Sequence, residues 1–293
     1  MRAARVLAQA KVNLVLHVLA RETSGYHSIE TLFQRIELGD DVTLRVGVPG
    51  RSLDCDGPTM PAEGLGAPER NLAYRAALAY ADATGWPDGF AIEIEKRIPV
   101  GGGLGGGSAD AAAVLRALEA MSPRPVGARL LEVAGSLGAD VAFLTSDASL
   151  ALAWGRGERM LALAPLPVRN VVLVIPSVGV STADAYRWLA EERGDYQPRG
   201  RLIDAAALTS WDWIDRNAAN DFEPVVAARH PEIARQLAWL RAEAPLALMS
   251  GSGSTVFALD EPGGGRRLEP VDGDVRVVVS RTAPSAAAVE LVG

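Results

Sequence analysis

Val100-Gly101-Gly102-Gly103-Leu104-Gly105-Gly106-Gly107-Ser108 is the stretch that decides how this chain is read. Six of the seven positions 101–107 are glycine, and each costs roughly 0.5–1 kcal/mol relative to alanine in an ordered element. A flexible linker would have this composition, but a linker joins lobes, whereas this run lies between two regular elements. Upstream, Phe90, Ile92 and Ile94 alternate with Ala91, Glu93 and Glu95, a half-buried strand that continues through Lys96 and Arg97 to Pro99. Downstream, Ala111, Val114, Leu115 and Leu118 have helical spacing, with Ser108 as the expected N-cap. A glycine loop that feeds a helix N-terminus is an anion cradle. Backbone N–H groups approach closely because no Cβ intervenes, and the helix end adds partial positive charge.

The rest of the chain sharpens that reading. Its 293 residues carry a net charge of −7, which argues against nucleic acid as a partner and requires any anionic ligand to be held locally. Only two of the 29 basic residues are lysine, Lys11 and Lys96. In so arginine-rich a chain the surviving lysines mark sites where a compact ammonium is needed. Cys55 is the only cysteine, so no internal disulfide forms and a reducing, cytoplasmic setting is expected. It lies in the loop-like run Asp54-Cys55-Asp56-Gly57, whose carboxylates disfavour a thiolate nucleophile. No apolar run is long enough to span a bilayer. Near the N-terminus Lys11, Asn13 and His17 alternate with Val12, Leu14, Leu16 and Val18, a strand pattern rather than a signal peptide.

Strands are expected at 12–19, 31–38 and 42–47, then an exposed loop over 49–70 and a helix from an Asn71 N-cap to about residue 83. A second helix from about residue 127 stops at Gly138, just before Asp140. The run Trp154-Gly155-Arg156-Gly157-Glu158 divides the chain into lobes 1–157 and 158–293. In the second lobe Ser181 and Asp184 form a capping box, helices are expected at 222–229 and 231–243, and strands at 171–175, 246–249, 255–259 and 275–280. The mixture predicts an α+β fold.

Three kinds of glycine loop are separable. A Walker A loop needs Gly-Lys-Ser/Thr, and Gly107 is followed directly by Ser108. A dinucleotide fingerprint fits Gly101, Gly103 and Gly106, but it requires an acidic residue at the end of a second strand about 20 positions on. Helix is expected there instead. A protein-kinase loop requires catalytic and metal-binding triplets downstream, and the chain has neither.

What remains is Pro99-x4-Gly-Leu-Gly followed by glycines and Ser108, which resembles the signature of the GHMP kinases (galacto-, homoserine, mevalonate and phosphomevalonate kinases). Residues Met249-Ser250-Gly251-Ser252-Gly253-Ser254-Thr255 resemble the second glycine motif of that superfamily. Within it, an ordered set is similar to the family of 4-diphosphocytidyl-2-C-methyl-D-erythritol kinases of the non-mevalonate isoprenoid route. The set is Ala10-Lys11-Val12-Asn13-Leu14, Gly25-Tyr26-His27, Thr31-Leu32-Phe33-Gln34, Gly138-Ala139-Asp140-Val141 and Asn220-Asp221-Phe222-Glu223-Pro224. One departure is Ser108-Ala109-Asp110, where the family usually has Ser-Ser-Asn.

The resemblance implies a two-lobed GHMP-kinase fold of helices and mixed or antiparallel sheets, with the active site in the cleft between lobes. It implies transfer of the γ-phosphoryl of ATP, with Mg²⁺, to the 2-hydroxyl of a cytidine-diphosphate-linked alcohol, by a monomer or weak homodimer that needs no nucleic acid or membrane. Lys11 and Asp140 correspond to the catalytic pair. Asn71, Lys96 and the run Pro99, Val100, Gly101, Gly102, Gly103, Leu104, Gly105, Gly106, Gly107, Ser108 and Ala109 correspond to the ATP site. Asn13, Tyr26, His27 and Tyr186 correspond to the acceptor site, with Tyr26 stacking on the cytosine, His27 bonding its edge and Tyr186 as the other wall. Ser108 is also the expected contact to phosphate or magnesium, and the magnesium ligands are otherwise left open. Two alternatives stay open at this point: another acceptor within the superfamily, and a nucleotide sensor that has kept the fold without the chemistry.

Overall fold

The computed structural model describes residues 2–21, 27–155, 157, 159–193, 204–261 and 275–292. Its framework is a pair of long antiparallel strands, β1 (Arg2–Arg21) and β2 (His27–Val46). Along β1, Ala4, Val6, Ala8, Ala10, Val12 and Leu14 are buried, which gives the strand one apolar face. From Gln9 to Val15 the alternate residues are buried as well, because other elements cover the second face there. Strands β3 (Arg51–Asp56) and β4 (Phe90–Glu95) extend the sheet beyond β2. The apolar face is covered by α1 (Leu72–Thr84) and α2 (Gly106–Met121), followed by α3 (Arg129–Leu137) and α4 (Ala139–Thr145). Ala109, Ala111, Ala112, Ala113 and Ala117 are all buried in α2. A helix apolar on nearly every side is one enclosed by protein, and α2 is the central helix of this half.

β5 (Leu150–Gly155) and β6 (Arg159–Leu163) form a hairpin on β2. The chain then builds a second sheet, β11-β7-β10-β9, from β7 (Asn170–Pro176), β9 (Leu246–Met249), β10 (Val256–Asp260) and β11 (Val275–Arg281). A second apolar core lies between this sheet and α5 (Thr182–Arg193), α7 (Glu223–Arg229) and α8 (Pro231–Glu243). The short α6 (Trp211–Asn217) precedes β8 (Ala219–Asn220), which pairs with β1, and β12 (Val289–Val292) also returns to β1. The expected division at 157/158 is therefore a division of sequence rather than of sheets, since β6, β8 and β12 all join the first sheet.

Several expected elements differ in the structure. The strands expected at 31–38 and 42–47 are one strand, β2, running through Gly39-Asp40-Asp41. The expected loop 49–70 contains β3, an edge strand paired parallel to β4, and Cys55 belongs to it rather than to a loop. Partial burial, then the nearby Asp110, pushes the Cys55 thiol up to about 11, so it is inert for a reason other than the flanking carboxylates alone. Asn71 caps α1 as expected, its side chain accepting from the Ala73 N–H at 2.8 Å. No helix among the described residues is long and apolar enough to cross a membrane.

Candidate active site

The glycine loop lies between β4 and α2, and three of its residues turn through left-handed backbone: Gly101, Gly103 and Gly105, at φ +75°, +76° and +74°. Gly103 shows why the side chain is missing. A Cβ there would lie 2.1 Å from the Ser250 carbonyl oxygen, because the second glycine loop packs directly beneath the first. The two are also tied by hydrogen bonds. Ser250 Oγ donates to Gly103 O at 2.9 Å, and the Thr255 N–H donates to Gly102 O at 3.3 Å. Asn220 braces the lower loop, donating to the carbonyls of Met249 and Gly251 at 2.7 and 2.8 Å.

Ser108 is not the cap of α2. The helix begins at Gly106 with Gly105 as N-cap and no side-chain capping bond. The left-handed Gly105 turns the chain into the helix three residues before the serine. That leaves the N–H groups of the first turn, Gly106 to Ser108, without intrahelical partners at the cleft. Ser108 lies inside this turn, half-buried, with the cleft in front of it. An open, cap-free N-terminus is what an anion site requires.

Lys11 enters from β1, below the loop. A register shift in the β1–β2 ladder between Gln9 and Lys11 accompanies a backbone bond from the Lys11 N–H to Leu104 O at 3.0 Å. Its ammonium is 2.8 Å from Asn13 Oδ1, 3.0 Å from Gly103 O and 3.4 Å from Asp140 Oδ2. The Lys11 side chain is 4% exposed and that of Asp140 32%, so the ammonium is fixed while the carboxylate faces the cleft. Asp140 is in the first turn of α4, a helix absent from the sequence expectations. Asn13 lines the same cleft, and its amide is engaged at both ends: Oδ1 accepts from Lys11 and from the Gly251 N–H, and Nδ2 donates to Thr31. The cleft, about 370 Å³, runs from the glycine loop past Lys11 and Asp140 to Tyr186 and Phe222.

A smaller cavity of about 180 Å³ shares the back of the loop, walled by Leu65, Leu72, Ile98, Pro99 and Val100, with Asn71 at its edge. Lys96, expected to contact ATP, borders it with its charge already paired. The residue is 2% exposed, and its ammonium is bonded to Asp40 Oδ2 and, at 2.5 Å, to Asp110 Oδ2. Burial opposes its charge, but the two carboxylates outweigh that and raise its pKa. Asp40 is fully engaged, accepting also from the N–H groups of Arg97 and Ile98 at 2.5 and 2.7 Å. Asp110 accepts from Lys96 through Oδ2, while its Oδ1 is buried without a hydrogen-bond partner among the described residues. Burial, with Asp40 adding to it and Lys96 opposing, pushes Asp110 up to about 7. The departure from the family pattern is thus turned away from the phosphate site, into a buried cluster.

Comparison with known proteins gives the same assignment. The description "GHMP kinases N terminal domain" matches residues 71–148, and "GHMP kinases C terminal" matches 202–268. The 4-diphosphocytidyl-2-C-methyl-D-erythritol kinase of Pelotomaculum thermopropionicum is 42% identical over 265 residues, covering 86% of this chain and 88% of the relative. That of Deinococcus radiodurans is 41% identical over 260 residues, covering 86% and 82%. The chain belongs to the 4-diphosphocytidyl-2-C-methyl-D-erythritol kinase family. A crystal structure of 4-(cytidine 5'-diphospho)-2C-methyl-D-erythritol kinase superposes with TM-score 0.77 at 35% identity, covering 95% of this chain and 99% of that one. Homoserine kinase from Cytophaga hutchinsonii, with TM-score 0.67 and 20% identity over 99% and 97%, shares the fold.

In this member of the kinase family the aromatic residues gather at the far end of the cleft. The His27 and Tyr186 rings stack with centroids 4.5 Å apart, and Tyr186 meets the edge of Phe222 at 4.8 Å. His27 was expected at the edge of a base and Tyr186 as one of its walls; here their rings stack on each other. Tyr26, the other expected wall, lies outside the described residues. Thr182 and Ser252, both from the second half of the chain, also line the cleft, with their hydroxyls 2.8 Å apart. Ser250 and Asn220 stand in quoted motifs without an assigned role, and Asp40 stands in none. The bonds that give all three a role join segments remote in the chain.

Proposed function

We propose that the chain transfers the γ-phosphoryl of ATP to the 2-hydroxyl of 4-diphosphocytidyl-2-C-methyl-D-erythritol, a step in isoprenoid precursor biosynthesis. The observation that carries this is the Lys11–Asp140 pair at the mouth of the glycine loop, in a chain of this kinase family. The open amides of Gly106 to Ser108 receive the phosphate chain, and the apolar cavity behind the loop receives the base of ATP. The acceptor hydroxyl attacks the γ-phosphorus, the bond from that phosphorus to the β–γ bridging oxygen breaks, and ADP leaves. The hydroxyl proton passes to Asp140, the carboxylate open to the cleft. Lys11, held by three oxygens, supplies fixed positive charge beside the transferred group without reorganising. Asn13 holds Lys11, and any contact it makes with the acceptor is made alongside that bond. Tyr186, with His27 against it, provides the surface for the cytosine.

Magnesium arriving with ATP supplies further charge neutralisation. The donor set fits an ion held mainly by phosphate oxygens and water. Among the described residues no group of three or more His, Cys, Asp or Glu could hold a metal, and Ser108 and Asp140 are the side chains that would contribute. We place the enzyme in the cytoplasm, where both charged, water-soluble substrates would be found. The test is ADP release against a panel of acceptors with and without the cytidine group. Turnover that requires both the cytidine and the methylerythritol hydroxyl is expected. Equal turnover with homoserine or mevalonate would refute the acceptor assignment.

A further inference from the structure

Arg35 is a buried guanidinium that the chemistry above does not use. It is 1% exposed, and no acidic side chain of the described residues lies within ion-pair distance of it. Burial, then the neighbouring Arg116, lowers its pKa to about 10, so it remains charged. Its partners are all backbone carbonyls at one place. Nη2 is 3.0 Å from Ser146 O and 3.3 Å from Phe143 O, Nη1 is 3.4 Å from Leu144 O, and Nε is 3.3 Å from Ala148 O. These carbonyls are the C-terminal end of α4 and the turn after it, where a helix presents its last oxygens and partial negative charge; that of Phe143 also accepts from the Ser146 N–H and hydroxyl. The other end of the same helix carries Asp140.

The sheet connects the two ends. Lys11 and Arg35 are direct partners across β1 and β2, so one rung carries the ammonium that meets Asp140 and the guanidinium that grips the far end of its helix. Between them, Phe33 stacks on Phe143 with centroids 5.0 Å apart; Lys11 Nζ lies 5.6 Å from the Phe33 centroid, and the Arg35 guanidinium 5.2 Å from that of Phe143. A helix this short has little rigidity of its own and takes its placement from what holds its ends. We propose that Arg35 is a positioning residue for phosphoryl transfer: by clamping the C-terminal carbonyls of α4 it sets where Asp140 stands relative to Lys11. This rests on the role given to Asp140 above.

The test is a double-mutant cycle. The kcat and both KM values are measured for wild type, Arg35→Met, Asp140→Asn and the double variant, with thermal melts to fix the folded fraction. Arg35→Met is expected to lower kcat by about 10–100-fold, since a displacement near 1 Å costs that order, while both KM values stay within about twofold. In the Asp140→Asn background the same change is expected to cost less than about threefold, because there is no carboxylate left to misplace. Arg35→Lys, which keeps the charge over the carbonyls, recovers most of the lost turnover. If Arg35→Met does not fold, Arg35→Gln replaces it in the cycle. An equal fold-loss in both backgrounds, or raised KM values with kcat unchanged, overturns the positioning role and leaves the base assignment standing. Wild-type turnover in Asp140→Asn overturns the base assignment and this proposal with it.

Discussion

Replacing Gly103 by alanine, set beside the same change at Gly101, measures how closely the glycine loop is built. Both residues have left-handed backbone, at φ +76° and +75°, so each alanine carries a conformational cost of about 1–2 kcal/mol. At Gly101 nothing lies within 4 Å of the added Cβ, and that cost is the whole effect on the free enzyme. At Gly103 the Cβ meets Ser250 O at 2.1 Å and Gly253 O at 3.0 Å, where ordinary contact begins at 3.4 Å. The two glycine loops must part by about 1.3 Å, the difference between 3.4 and 2.1 Å. Overpacking of this kind adds about 1–3 kcal/mol. Lys11 bonds to Gly103 O, so the shift also moves its ammonium, and a displacement of that size costs roughly 10²-fold in rate. Thermal melts of the free proteins and coupled ADP release with saturating substrates are the assays. Gly103→Ala is expected to melt several degrees below Gly101→Ala and to turn over roughly 10²-fold more slowly than wild type. Matching melts and matching kcat for the two variants would refute the idea that the lower loop sets the shape of the upper one.

Asp140→Asn and Lys11→Met are each expected to lower kcat by on the order of 10²–10⁴ while the melting curve keeps its cooperativity; near-normal turnover in either removes that residue from the chemistry. Tyr186→Ala is expected to raise the KM of the cytidine-bearing acceptor by about 5–150-fold, the value of roughly 1–3 kcal/mol of base stacking, and to leave the KM of ATP alone. An unchanged acceptor KM contradicts the placement of the base. For Asp110, the folded protein keeps a proton up to about pH 7 that the unfolded chain releases near 3.8. The stability it contributes is therefore present at acid pH and declines as pH rises between those values. Asp110→Asn is expected to gain in melting temperature over wild type as pH rises from about 4 to 7, and a difference independent of pH would show that Asp110 is ionised throughout.

The parts of the site legible in the sequence are those in which local backbone and function coincide. Six glycines between an alternating strand and a helical run can be read without tertiary knowledge, and so can Asn71 as a cap. Ser108 shows the limit of that reading. Serine is a preferred N-cap by type, but left-handed Gly105 begins the helix earlier and leaves its amides open. α4 escaped notice because Val141-Ala142-Phe143-Leu144 is a short apolar run, and seven residues show too little periodicity to separate helix from strand. The ion pairs of Lys96 could not be read from the sequence because its partners, Asp40 and Asp110, approach it only in the folded chain. The pairing of Lys11 with Asp140 came from family resemblance, since no spacing in the chain implies their contact. Arg35 followed the same rule. As one arginine among 27 it carries no mark of its own, and only its burial against the end of α4 sets it apart.

Amide-resolved hydrogen exchange over residues 101–108, with and without a non-hydrolysable ATP analogue and magnesium, examines the phosphate site itself. The N–H groups of Gly106, Gly107 and Ser108 are open at the start of α2, and the nucleotide is expected to slow their exchange by at least about tenfold, corresponding to roughly 1.4 kcal/mol per amide. Saturating nucleotide that leaves these three amides exchanging at the rates of the free protein would contradict a phosphate chain bound by this backbone.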